Sequence, residues 1–264
     1  MLRGMLPFLL SAGALLAATP FEEEIARWRR ARELTLTADG GWLTVTGRFW
    51  LHEGINRAGS AASNDIVLPD GPPHVGGIRL DSGQVTLEIG GSSRLMRPNS
   101  GEEFRIGRVG LSLLGRAGAY SIRLKDPQSR FRRDFHGIDC YPAREEYRVT
   151  ARFVASPRRI GDANSPGYVV FQLLGREFRL YPFLERPDAK VLMIVFRDRT
   201  TGSETYPGGR FLDIPLPRDG QIVLDFNKAY NPPCAFTPYV SCPLPPRLNR
   251  LPVSIEAGEK NYRH

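Results

Sequence analysis

From residue 42 onward, apolar and polar positions alternate in short runs, separated by segments that contain Gly, Pro, Asn or Asp. The runs at 42–46, 48–51, 65–68, 77–80, 84–89, 104–106, 111–114 and 120–124 are rich in β-branched and aromatic side chains. A second series occupies 147–154, 168–174, 178–184, 191–196, 211–214 and 221–226, with a short last run at 251–255 beyond a proline-laced excursion. Alternation with period two marks a half-buried strand, and hairpin-length gaps predict antiparallel pairing. Before residue 40 the period changes. Phe21, Ile25 and Trp28 recur at helical spacing behind Thr19-Pro20-Phe21-Glu22, which reads as an N-cap, a first-turn proline and a capping-box glutamate. Glu22, Glu23 and Glu24 precede Arg27, Arg29, Arg30 and Arg32, the order a helix dipole favours. This helix is expected to dock on the first β unit. The fold class predicted is mainly β: two packed antiparallel β units, sandwich or barrel, preceded by one N-terminal helix.

The pattern also divides the chain. Residues 1–18 have a basic start at Arg3, an apolar run from Leu6 to Leu16 and small residues after it, as a secretory signal does. Ala12-Gly13-Ala14 offers a small-x-small cleavage pattern, and a cut after Ala18 is the other candidate. The run is short for a bilayer span, so no stable membrane insertion is expected once it is removed; a retained N-terminal anchor is the alternative. The expected units are then the helix at 19–38, a first β unit at 40–125, a basic join at 126–139 and a second β unit at 140–264 carrying a Pro/Cys-rich loop at 228–250. The expected location is secreted or periplasmic.

Composition adjusts this picture at three points. Hydrophobic residues at 41% and charged residues at 24% are ordinary for a globular chain and exclude disorder. The formal charge of +8 makes an anionic ligand one of those expected, whereas export and the lack of any recognition motif argue against nucleic acid. Cys234 and Cys242 bracket a proline-containing segment, and a disulfide there would contribute roughly 2–3 kcal/mol by loop entropy. Cys140 is left over as a buried or free thiol. With no paired short C-x-x-C spacing and four scattered histidines, no metal site is expected, nor any cofactor.

The chemistry-bearing residues gather late in the chain. Arg210, Asp225, Asn227, Tyr230, Asn231, Asn249, Glu256, Glu259 and Lys260 surround the loop at 228–250. Asp225 and Asn227 lie two apart and would share one face of a strand. Arg210 suits bidentate pairing with a carboxylate. Glu256 and Glu259 would serve as acid and base if partly desolvated, with Lys260 neutralising one of them. Three readings follow: a buried hydrogen-bonded brace, a ligand pocket, or a hydrolytic centre using Asp225, Glu256 or Glu259. The brace carries the most weight. No nucleophile–base pair, Walker loop, Gly-x-Ser-x-Gly elbow or Gly-x-Gly-x-x-Gly is present, so whether the chain is an enzyme stays open, as does its oligomeric state.

Two resemblances bear on this. The segment 59–88, with Gly59-Ser60, Asn64-Asp65-Ile66 and His74, resembles the forkhead-associated sandwich. That likeness implies a β-sandwich over 40–125. Ser60 stands where that family has arginine and Gly71 where it has the serine before the histidine, so the fold is carried over and the phosphopeptide ligand is not. The stretch 196–260, with Asp198, Thr200, Gly202, Thr205-Tyr206, Gly209-Arg210, Asp225-Phe226-Asn227, Tyr230-Asn231-Pro232, Cys234, Cys242-Pro243, Asn249-Arg250-Leu251-Pro252 and Gly258-Glu259-Lys260, is identified as that of an uncharacterised bacterial family, domain of unknown function 1684. Trp42-Leu43, Phe49-Trp50-Leu51, Gly59-Ser60 and Asn64-Asp65-Ile66 upstream are similar to it as well, so the resemblance spans nearly the whole chain after residue 18. The resemblance implies no activity. Cys140 stands where related chains tend to have an aromatic residue. The resulting expectation is an exported β protein binding a small or anionic ligand at the polar site of its C-terminal unit; the alternative is a hydrolase at that site.

Overall fold

The computed structural model describes residues 18–161, 163–184 and 189–263, so the apolar run assigned to a signal lies outside the described residues. The helix α1 (Pro20–Thr37) begins as its sequence predicts. Thr19 Oγ1 accepts from the Glu22 N–H at 3.2 Å, and the Glu22 carboxylate accepts from the Thr19 N–H at 2.7 Å. Its docking differs from the expectation. Arg29 donates to the Tyr141 carbonyl at 2.7 Å and Arg32 to the Asn231 carbonyl at 2.9 Å. Glu24 meets Arg148 at 2.8 Å and Lys228 at 2.6 Å. These partners belong to the C-terminal unit, whose carbonyls and opposite charges face the helix's charged side. The last turn reaches back toward the first unit, Leu36 packing with Leu43, and Phe236 of the C-terminal unit joins them.

The first β unit holds β1 (Val45–Trp50), β2 (Gly54–Gly59), β3 (Ile66–Val67), β4 (Gly76–Asp81), β5 (Gln84–Ile89), β6 (Ser92–Met96), β7 (Phe104–Ile106), β8 (Val109–Arg116) and β9 (Ala119–Lys125). They form a five-stranded sheet, β3-β2-β4-β5-β6, and a four-stranded sheet, β1-β9-β8-β7. Pairing is antiparallel except between β2 and β3. Ile78, Leu80, Val85 and Leu87 from one sheet pack with Val109, Leu111, Leu113, Ile122 and Leu124 from the other. Alternation puts these side chains on a common inner face, while Arg48 and Arg123 project outward. A connector follows, with one helical turn α2 (Arg130–Arg133) capped by Ser129. Its Phe131 and Phe135 pack into the small core that also holds Leu36, Leu43 and Phe236.

The second unit is built on two long strands, β10 (Arg148–Ile160) and β11 (Ala163–Leu173), joined by β12 (Arg176–Leu180), β13 (Val191–Phe196), β14 (Arg210–Pro215) and β15 (Gln221–Asp225). Sheet order is β12-β11-β10-β15, and β13-β14 form a separate hairpin laid over it. Phe171, Leu180, Ile194, Phe196, Leu212 and Phe226 fill the space between, with the Phe226 ring tilted against Phe171 at 5.7 Å and edge-on to Phe196 at 5.6 Å. The sheets pack without closing into a barrel.

The expected strand at 251–255 is not a laddered strand. Leu251, Val253, Ile255 and Ala257 still alternate into the core, but Pro252 removes a donor from the middle of the run. Backbone bonds hold only its start, from Leu251 N–H to the Arg197 carbonyl at 2.8 Å and from Arg199 N–H to the Val253 carbonyl at 3.0 Å. Side chains hold the rest.

Candidate functional site

Those side chains are Asp198 and Arg210. Arg210 opens β14 and is 1% exposed. Its Nη1 donates to the Ala257 carbonyl, and its Nη2 donates to the Ile255 carbonyl at 2.9 Å and to Asp198 Oδ2 at 3.2 Å. The same Asp198 oxygen accepts from the Ile255 N–H at 2.7 Å, and Thr200 and Thr201 supply the carboxylate's other donors. A fork of donors and a carboxylate thus replace the ladder that Pro252 interrupts. Burial lowers the Arg210 pKa and the Asp198 charge opposes that shift. Gly258 completes the turn at φ +80°, where a Cβ would lie 2.4 Å from the Ala229 carbonyl oxygen.

The other candidates are distributed, not gathered. Asp225 ends β15, and Asn227 sits in the helical turn after it, not on the strand face expected. The Asp225 carboxylate accepts from Arg148 Nε at 2.8 Å and from Asn227 Nδ2 at 2.9 Å. Asn227 in turn exchanges two bonds with the Arg144 backbone, at 2.9 and 2.8 Å. Asn249 exchanges the same pair of bonds with Tyr181, at 2.7 and 2.9 Å, and reaches the Val195 carbonyl at 3.0 Å. Asn231 donates to the Lys260 carbonyl at 2.7 Å, and its N–H donates to Glu259 Oε2 at 2.7 Å. Glu259 is buried; desolvation raises its pKa, against the Arg32 guanidinium 3.2 Å away. Lys260 lies over the Tyr141 ring at 4.8 Å, and Glu256 is exposed. Six of the nine candidates are therefore buried, in separate braces that fasten loops to the sheet.

Tyr230 is different. Its ring lies under the Arg32 guanidinium at 4.6 Å, and its hydroxyl donates to Asp213 Oδ1 at 3.0 Å. Together with Trp28, Trp42 and Phe211 these residues line a cleft of about 440 Å³ between α1 and the β13-β14 hairpin. The floor exists because β13 and β14 are apolar on both faces. Ile194 and Leu212 face the main core, whereas Met193, Val195 and Phe211 face outward toward Tyr230 and Cys242. Asp213 follows Phe211 on that outer face. It keeps an open side to solvent, yet the protein packed round it raises its pKa, with the Tyr230 hydroxyl and Arg32 pulling the other way. A larger, shallower hollow of about 580 Å³ lies on the β10-β11-β15 surface and contains none of the candidates.

The cysteines sit beside the cleft. Cys234 and Cys242 are free thiols in the structure, and the Cys234 N–H donates to Cys242 Sγ at 3.3 Å. The Cys242 thiol and the Tyr206 hydroxyl hold Cys234 below an ordinary thiol, while Cys242 is pushed up by its neighbour. Burial pushes Cys140 up to about 11. No cluster of three or more His, Cys, Asp or Glu able to hold a metal occurs among the described residues.

The model of the family described as "Protein of unknown function (DUF1684)" matches residues 133–260, the stretch that contains every brace and the hairpin floor. An uncharacterized protein of Haloarcula marismortui, solved in solution by NMR, is 34% identical; the match covers 49% of this chain and 78% of that one, at a TM-score of 0.43. The chain belongs to the DUF1684 family. No curated protein matches it. The DUF1684 segment supplies Phe211, Asp213 and Tyr230, but Trp28, Arg32 and Trp42 come from outside it. The forkhead-associated likeness of 59–88 lies outside the family match, and neither comparison bears it out.

Sequence reasoning missed Trp28, Arg32, Trp42, Asp213 and Arg148 as site residues, and placed Asp198 only within the family signature. Two signals were available. Trp28, Arg32 and Thr35 form a second stripe on α1 at spacings of four and three. The unbroken apolar run Val191–Phe196 implies that both faces of β13 are covered.

Proposed function

We propose that this protein is an exported binding protein that holds a small polar ring, a saccharide by its chemistry, in the cleft between α1 and the β13-β14 hairpin. The observation carrying this reading is the convergence of four aromatic walls on one carboxyl that is open to solvent. Flat aromatic faces stack on the C–H face of a sugar ring, and a carboxylate beside them accepts from ring hydroxyls. Arg32 is already engaged by Glu259, the Asn231 carbonyl and the Tyr230 ring, so it shapes the wall and leaves little free charge for an anion. A neutral ligand therefore fits the cleft better than the anionic one suggested by net charge. The hydrolase reading needs two carboxyls on one cleft, and Asp213 is the only one lining it among the described residues.

Export rests on residues 1–18; no helix among the described residues is long and apolar enough to cross a membrane. In an oxidising compartment the Cys234–Cys242 pair closes, its two thiols passing two protons and two electrons to a disulfide oxidant.

The test is a tryptophan-fluorescence titration with glucose, galactose and N-acetylglucosamine. The wild type shows a saturable change, and Trp28→Ala or Asp213→Asn weakens it by about tenfold or more. Ionised Asp213 is the stronger acceptor for hydroxyls, and its pKa is raised, so binding weakens on acidification with a midpoint above the ordinary value of 3.8. No saturable change with any of the three sugars, or unchanged binding in both variants, sinks the reading.

A further inference from the structure

The outer face of the first sandwich carries a second cationic feature, independent of the cleft's occupant. β1 pairs with β9 so that Arg48 stands directly opposite Arg123. Like charges at directly opposed positions of an antiparallel pair repel, and sheets normally place an acid there or diagonally. Arg79, on the other sheet, has such a partner in Glu88 at 2.7 Å. Among the described residues, no carboxylate lies within ion-pair distance of either Arg48 or Arg123, although both are half-buried.

What surrounds them is donors and rings. Arg48 Nε donates to Ser121 Oγ at 3.1 Å and Nη1 to Ser241 Oγ at 3.5 Å, with its guanidinium 4.5 Å over the Trp50 ring. Arg123 lies 5.0 Å over the Trp42 ring, and its Nε is buried without a hydrogen-bond partner. Thr46 Oγ1, two residues before Arg48, is likewise buried and unpartnered. Burial and the Arg48 charge both lower the Arg123 pKa. A buried guanidinium N–H left unmade costs free energy, and a second guanidinium opposite raises that cost. A buried unpaired donor calls for an explanation, and an unfilled acceptor site is one.

We propose that Arg48 and Arg123 form a binding site for a small oxyanion, a phosphate, sulfate or carboxylate group, at the seam between the first sandwich and the loop carrying Ser241. Two guanidinium groups at opposed positions on one face supply forked donors of the kind such oxygens accept, and the serine hydroxyls extend the donor set. Thr237 Oγ1 donates to the Val45 carbonyl at 3.0 Å, which brings the loop against β1 where the anion sits. The oxyanion balances two charges that the fold otherwise leaves facing each other.

The experiment is thermal unfolding of the full protein in chloride, inorganic phosphate, sulfate and acetate at matched ionic strength, with calorimetric titration of phosphate. Phosphate and sulfate stabilise proteins generally, so the reading is the difference between variants. The wild type shows a saturable rise in Tm with at least one oxyanion beyond that of chloride; which anion acts best separates tetrahedral from planar ligands. Arg123→Gln and Arg48→Gln each lose that rise and weaken phosphate binding by about tenfold. Arg48→Gln keeps the test sound should Arg123→Gln fold poorly. Equal anion-induced shifts in wild type and both variants, or no heat of phosphate binding in the wild type, overturn the proposal, and neither result touches the sugar cleft.

Discussion

At the scale of the residue, the buried pair of Arg210 and Asp198 decides how the C-terminal tail is held. Removing one member of a buried, hydrogen-bonded pair costs about 3–5 kcal/mol, because the other charge is left uncompensated. Here Arg210→Met would also strip donors from the Ile255 and Ala257 carbonyls. The expected result is a fall in Tm of roughly 10 °C, since each kcal/mol shifts a chain of this size by about 2–4 °C. Arg210→Lys keeps the charge but not the fork and should fall between. Glu256→Gln, at an exposed position, should stay within about 0.5 kcal/mol of wild type. Chemical or thermal melts read all three, and an unshifted Arg210→Met would remove the brace from the account. The density of Arg, Asp and Asn near the C-terminus was visible along the chain, and so was the brace as a reading. Which partner each residue takes was not: Arg148 is 77 positions from Asp225, and nothing local to either announces the other.

At the scale of the element, pattern served the strands well and failed where a charge or a proline intervened. The capping box set the start of α1 correctly, but the apolar triplet Phe21, Ile25 and Trp28 says nothing about which unit the helix meets. That choice is made by Glu24, shared between Lys228 and Arg148, and by Arg32 on Glu259. The Lys228 hydrogen bond, aided by Arg148 against some desolvation, holds the Glu24 pKa below its ordinary value of 4.5. A carboxylate with a depressed folded pKa contributes stability that is complete above 4.5 and lost as pH falls through the lower folded value. Amides of α1 should therefore exchange faster with solvent deuterium on acidification, ahead of those in β4, β5 and β8. Glu24→Gln should bring the same loosening to neutral pH. If α1 exchange is identical in Glu24→Gln and wild type at pH 7, the charge cluster does not hold the helix. The segment 251–255 makes the complementary point: its alternation is real and its burial follows, but Pro252 denies it a ladder.

At the scale of the whole molecule, two cores of separate composition were legible because alternation restarts after the connector. The cleft was not, since it needs α1, Trp42, the β13-β14 hairpin and the loop after β15 to arrive together. The loop at 228–250 is what joins these parts. Cys242 packs on the outer face of the hairpin beside Phe211 and Tyr230, Thr237 bonds to β1, and Ser241 reaches Arg48. A cystine from Cys234 to Cys242 would shorten this loop's freedom in the unfolded chain by roughly 2–3 kcal/mol, equivalent to about 5–10 °C in Tm. Exported protein alkylated without reduction should carry no label at Cys234 or Cys242, and Cys140 should label only after unfolding, given its burial and raised pKa. Reduction, or Cys234→Ser with Cys242→Ser, should lower Tm by that amount and loosen the cleft wall at Tyr230 more than the sandwich. Labels on both cysteines of the unreduced protein would show that the thiols stay open, and the loop's grip on the first unit would then rest on noncovalent contacts, among them Thr237, Ser241 and the packing of Phe236.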